Sequence, residues 1–81
     1  FEINGFRLFP NPATNTLTLT SDSQKINQIA IYDLKGSLVL ENSNTNTLRQ
    51  EINISALTPG LYITEVTSEN GNRFTHKLVI K

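Results

Sequence analysis

The sequence predicts an all-β fold: a seven-stranded antiparallel sandwich of two sheets with an immunoglobulin-like arrangement of strands. Three observations carry that expectation. Thr and Asn each occur ten times and Ser six times, whereas Ala occurs only three times; Thr favours strands, and Asn and Ser favour the turns between them. Apolar and polar residues alternate in short runs, and no stretch repeats apolar residues at the helical i, i+3, i+4, i+7 spacing. Turn signals return roughly every 8–12 residues, the rhythm of a sandwich. Cys and Trp are absent, so the marks of antibody domains are missing and only the architecture is expected.

The elements follow in order. Phe6-Arg7-Leu8-Phe9 is a strand stopped by Pro10-Asn11-Pro12, whose prolines donate nothing to a ladder and blunt a sheet edge. Asn15 to Thr20 alternates cleanly, with Leu17 and Leu19 inward and Thr16, Thr18 and Thr20 outward. A polar turn over Ser21 to Lys25 leads to the strand Ile26 to Asp33. Apolar residues there fall on both faces, Ile29 and Ile31 against Ala30 and Tyr32, which predicts a central strand or one whose second face a loop covers. Leu34-Lys35-Gly36 turns the chain into a return strand, Ser37 to Glu41, with Leu38 and Leu40 inward. Asn42 to Asn46 reads as a polar loop. The strand Thr47 to Ile54 follows, with Leu48, Ile52 and Ile54 sharing parity. Leu57-Thr58-Pro59-Gly60 is a turn in which Leu57 plugs the end of the core. Leu61 to Ser68 and Arg73 to Lys81 close a hairpin around Asn70-Gly71, a strong short-range hairpin signal.

Composition bounds the function. At 81 residues the chain is one domain of a size that buries only about 60% of its unfolded surface; it starts at Phe1, which suggests a piece of a longer protein. We expect residues 1–5 to end a linker and residues 6–81 to form the domain. Seven basic and seven acidic residues cancel, and the absence of a basic patch argues against nucleic acid. Without Cys there is neither a disulfide framework nor a thiolate metal site. No apolar run approaches the roughly 20 residues of a membrane helix, and no signal peptide is visible.

No polar cluster has the form of an active site. His76 is the single histidine, and zinc needs three or four convergent ligands. A triad of a serine, His76 and Asp22 or Asp33 lacks the nucleophile-elbow motif. Glu65 with Glu69, or Glu41 with Glu51, reads as solvated charge, since a glycosidase pair must flank a cleft. Calcium would need an acidic run that the chain lacks. Asn53-Ile54-Ser55 fits the N-glycosylation triplet. Phe6, Phe9, Tyr32, Tyr62 and Phe74 would form a sugar platform only as exposed rings, and core packing accounts for them. No cofactor is expected and the domain is expected to be non-catalytic. Two classes stay open: a recognition or sorting tag, and an immunoglobulin-like adhesion, spacer or glycan-binding module.

Four motifs in order separate them: Phe9-Pro10-Asn11-Pro12-Ala13, Ile29-Ala30-Ile31-Tyr32-Asp33-Leu34-Lys35-Gly36, Leu57-Thr58-Pro59-Gly60-Leu61-Tyr62 and Lys77-Leu78-Val79-Ile80-Lys81. In that order and spacing, the chain resembles the type A C-terminal sorting domain of the type IX (Por) secretion system of Bacteroidetes, from about Phe6 to Lys81. It departs mildly at Thr14-Asn15, where the family often has Gly. The resemblance implies a seven-stranded sandwich behind a large cargo protein that passes through the periplasm. An outer-membrane translocon or shuttle protein then reads the domain, and a surface sortase often removes it and can attach the cargo to an anionic lipopolysaccharide. The cargo ends secreted or on the cell surface, and any cut falls upstream of Phe6.

The matched positions have physical roles of their own. Gly36, Gly60 and Gly71 permit tight turns, and Tyr62 packs its ring while its hydroxyl reaches backbone or partner. Pro10, Asn11, Pro12 and Leu57 shape turns. Lys77 and Lys81 flank the apolar Leu78-Val79-Ile80, a display that another protein can read as an added strand or a surface patch. An exposed edge strand also offers a route to a dimer.

Overall fold

The computed structural model describes residues 2–3, 5–9, 15–22 and 24–81. It is all-β among them, with β1 Glu2–Ile3, β2 Phe6–Phe9, β3 Thr16–Ser21, β4 Ile26–Tyr32, β5 Leu38–Thr47, β6 Arg49–Asn53, β7 Gly60–Ser68 and β8 Arg73–Ile80. Two four-stranded sheets form, in the orders β1-β2-β3-β6 and β5-β4-β7-β8, and every pairing is antiparallel. The expected two-sheet sandwich is therefore present, with eight strands where seven were expected. The extra one, β1, pairs Glu2 with Arg7 and Ile3 with Phe6; two residues are too few for periodicity to reveal. The Pro10-Asn11-Pro12 turn lies outside the described residues.

Alternation builds the core between the sheets. Leu17 and Leu19 from β3 meet Ile29 and Ile31 from β4, with Phe6, Leu8, Ile52, Val66, Leu78 and Ile80 around them, all buried. β4 lies between β5 and β7, the central position that apolar residues on both its faces require. Ala30, on the outer face, is itself buried. Thr18, expected outward, is also buried, because β3 is an interior strand and Phe9 and Glu51 flank it on either side.

Three expectations around β5 need correction. The segment expected as a polar loop, Asn42 to Asn46, belongs to the ten-residue strand β5. An edge strand is paired on one side only and exposes most of its side chains, so Asn, Ser and Thr suit it. Its ladder shifts register where Asn46 takes a left-handed φ of 46°. Leu38 faces solvent: Ile31 pairs with Leu40 and Tyr32 with Leu38, so Val39 is an extra residue that turns Leu38 to the outer face. Leu40 keeps its inward place against the core. Leu48 is exposed as well, because the expected continuous strand breaks there as the chain crosses between sheets. At the crossing Leu48 O accepts Ser21 N–H at 2.8 Å, and the Thr47 hydroxyl donates to Arg49 O at 2.8 Å.

Two hairpin turns match their sequences. In the β4–β5 turn, the Asp33 carboxylate accepts the N–H groups of Lys35 and Ser37, each at 2.9 Å, and Gly36 N–H donates to Asp33 O at 3.0 Å. In the β7–β8 turn, Gly71 N–H donates to Ser68 O at 3.0 Å and Ser68 N–H to Asn72 O at 2.9 Å.

Candidate recognition surface

Among the described residues, no group of three or more His, Cys, Asp and Glu side chains could hold a metal ion. The carboxylates have separate local duties: Asp33 holds its turn, Glu69 accepts Lys25 N–H at 3.1 Å, Glu41 accepts Gln28 Nε2 at 2.5 Å, and Glu51 lies 3.5 Å from Arg49 on an exposed strand. In the glycosylation triplet, Asn53 Oδ1 accepts both the N–H and the hydroxyl of Ser55. The aromatic residues do not form one platform. Phe6 and Tyr62 are buried, the rings of Phe6 and Phe74 meet tilted at a centroid distance of 5.2 Å, and the exposed Phe9 sits on the sheet opposite that of Tyr32.

His76 faces the interior at the seam between the sheets. It pairs across strands with Thr64, and the two line a small apolar cavity with Phe6, Leu8, Leu19, Val66 and Phe74. Burial, and then the positive charge of Lys77, hold its imidazole below the ordinary value of 6.5. The Thr64 hydroxyl is buried and finds no hydrogen-bond partner in the protein.

The turn before β7 has a firmer construction. Tyr62 Oη donates to Thr58 O at 2.6 Å, with the Thr58 hydroxyl 3.2 Å away. A tyrosine bonding back to the backbone a few residues upstream is the corner device of immunoglobulin-like sandwiches. Gly60 opens the strand at φ 156°, where a side chain is strained. Leu57 packs partly buried against the core beneath this corner.

Pairing gathers most of the motif residues at one end of the molecule. Gly60 pairs with Ile80, Tyr62 with Leu78 and Ile63 with Lys77, while Tyr32, next to the Gly36 turn, pairs with Ile63. Gly71 lies at the opposite end, in the β7–β8 turn. Strand alternation then divides Lys77 to Lys81 into two sets. Leu78 and Ile80 are 0% and 3% exposed, whereas Val79 is 40% exposed and Lys77 and Lys81 face solvent. The terminal motif is thus half core and half surface.

The outward set has neighbours that sequence reasoning did not single out. Leu61 pairs with Val79, and Leu38, Tyr32, Ile63 and Lys77 form a row across all four strands. The signal was present in β7, where Leu61 and Ile63 alternate with Tyr62 and Thr64. Which strands lie beside them was not readable.

Comparisons with known proteins agree with this architecture. The family described as secretion system C-terminal sorting domain matches residues 7–81. The chain is 28% identical over 93% of its length to an endo-acting ulvan lyase of Formosa agariphila, and 34% identical over 91% to a β-agarase D of Zobellia galactanivorans. It is 25% identical over 98% to an ulvan lyase of Nonlabens ulvanivorans. The match spans only 14–15% of the length of these relatives. Among solved structures, a DUF3244 family protein from Bacteroides vulgatus with an immunoglobulin-like β-sandwich fold superposes with a TM-score of 0.76. That match has 22% identity and covers 95% of this chain and 85% of the other. CopC from Methylosinus trichosporium superposes at 0.53 with 17% identity, covering 94% and 93%. Both structural likenesses concern the fold alone.

Proposed function

The chain belongs to the secretion system C-terminal sorting domain family, as a type IX sorting domain of the Bacteroidetes kind, and from that premise we propose how it acts. It is fused behind a cargo protein, crosses the periplasm with it, and is read by the outer-membrane translocation machinery, after which a surface sortase removes it. The destination of such cargo is the medium or the cell surface. The domain itself performs no chemistry.

One observation carries the reading: a module that matches 91–98% of this chain is shared by enzymes named for ulvan and for agar while covering only 14–15% of each. A part shared by proteins with different named substrates serves something other than substrate. In the structure, Asp33 and Glu69 serve backbone contacts while most of the described motif positions lie at one end of one sheet, which suits recognition. The cargo of this chain is by the same argument a secreted protein, with polysaccharide-degrading enzymes as the model supplied by its relatives.

The test is a fusion of residues 1–81 to the C-terminus of a periplasm-directed fluorescent protein in a Bacteroidetes host. We expect fluorescence in the medium or on the surface when the type IX system is intact, and periplasmic retention when it is deleted. Retention of an intact fusion in both hosts would refute the sorting function and favour an adhesion or spacer module.

A further inference from the structure

We propose that the outer face of the β5-β4-β7-β8 sheet, at its Gly36 end, is a protein-docking surface whose partner presents an apolar centre ringed by carboxylates. The inference rests on the sorting function and names the chemistry of the partner.

Exposed apolar side chains are distributed unevenly over the molecule. Of seven large ones exposed among the described residues, five, Leu34, Leu38, Val39, Leu61 and Val79, belong to this sheet or the turn at this end. Leu61 and Val79 stand side by side on adjacent strands, 38% and 40% exposed. Beside them the half-buried Tyr32 and Ile63 extend the patch across β4 and β7 towards Leu38. Scattered single apolar residues need no explanation, but a contiguous patch does.

Charge on the same face is sorted along the strands. Lys77 lies opposite Ile63, Lys81 follows β8, and Lys35 sits in the β4–β5 turn, all exposed. The described side-chain carboxylate at this end, Asp33, is engaged by two backbone N–H groups. Glu65 and Glu41, each paired with Ala30, lie further along the face. A chain of zero net charge therefore presents an apolar centre with a cationic rim, and an acidic rim on the partner complements it.

A second copy is a poor occupant. Placing two such patches face to face sets lysine against lysine, which costs free energy. The opposite register brings the lysines to Glu41 and Glu65, but lays Leu61 and Val79 on the polar end of the face with Thr67, Thr75 and Arg73. An anionic glycan or lipid headgroup would use the lysines and leave the apolar centre without a role.

The test uses the same fluorescent fusion with two patch variants, Lys35→Glu/Lys77→Glu/Lys81→Glu and Leu61→Ser/Val79→Ser, and a control, Lys25→Glu/Arg49→Glu, away from the patch. We expect each patch variant to lower export at least about tenfold, equivalent to roughly 1.4 kcal/mol in recognition, with the melting temperature kept and the control exported normally. If a charge reversal unfolds the domain, Lys35→Gln/Lys77→Gln/Lys81→Gln replaces it. A photo-crosslinker at position 79 should join a protein whose adduct peptide carries Asp or Glu beside apolar residues. Folded patch variants exported like the parent overturn the proposal, as does an adduct peptide without acidic residues. Two other results overturn it: vesicles of phosphatidylglycerol and phosphatidylethanolamine that retain the Leu61→Ser/Val79→Ser variant but lose the lysine variant, or a concentration-dependent dimer abolished by either. Failure of the unmodified fusion to be exported refutes the sorting function itself, and this inference with it.

Discussion

At the scale of single residues, the polar groups that matter most are those the core surrounds. Tyr62 Oη donates a 2.6 Å hydrogen bond to Thr58 O, and Tyr62→Phe removes the donor while keeping the ring. A loss of about 1 kcal/mol is expected in urea unfolding; no change would mean the corner is held by ring packing alone. Thr64 poses the reverse case. Its buried hydroxyl lacks a protein partner, so Thr64→Val should be neutral or stabilise by up to about 1 kcal/mol. A clear loss would show that a bound water satisfies the hydroxyl. His76 has a folded-state pKa below 6.5, chiefly through burial. The unfolded chain therefore binds the proton more readily. The stability contributed by the neutral imidazole is complete above about pH 6.5 and is lost as pH falls below that value through the folded-state pKa. Because the ring is partly solvated, the slope is expected to be shallow. Unfolding free energy measured between pH 7 and 5 should fall, and His76→Gln should flatten that part of the curve.

At the scale of elements, β8 alternates between two tasks. Its even-numbered positions 78 and 80 fill the core and its odd-numbered 77 and 79 face solvent. Leu78→Ala is expected to cost about 2–5 kcal/mol, the range for large-to-small changes in a packed core. Val79→Ala, one residue on, is expected to stay within about 0.5 kcal/mol of the parent, as exposed substitutions do. Equal losses at the two sites would mean that the strand is paired in another register, since a one-residue slip exchanges the faces.

At the scale of the whole molecule, one core is shared by both sheets, so loss of a core strand is felt across the domain. A domain of 81 residues has a stability of roughly 4–12 kcal/mol, and deleting Lys77 to Lys81 removes Leu78 and Ile80 from the core together. We expect that truncation to unfold the domain, seen as loss of dispersion in its NMR amide spectrum. A fusion lacking these residues would then fail in export whether or not a partner reads them. Substitutions of outward side chains separate recognition from folding, and truncation does not.

Local pattern along the chain carried the fold class, the family and most of the strands and turns, but not β1 or the strand over Asn42 to Asn46. These depend on local quantities: period-2 alternation in Leu17 and Leu19, the Asn70-Gly71 turn, and motif order along the chain. The sequence also showed that β4 needs cover on both faces, through Ile29, Ala30, Ile31 and Tyr32, and strand order then placed it with β5 and β7 on either side. Tertiary structure decided what local pattern leaves undetermined. The bulge opposite Ile31 and Tyr32 turned Leu38 outward, and the polar run from Asn42 became an edge strand because the backbone of β4 was available to pair with it. The candidate surface was half legible: Lys77 to Lys81 stood out as a motif, but its division into core and surface, and the union of Val79 with Leu61, required the β7–β8 register. The physical reason is that alternation tells which side chains share a face, whereas strand order and register, set by long-range pairing, tell which faces meet.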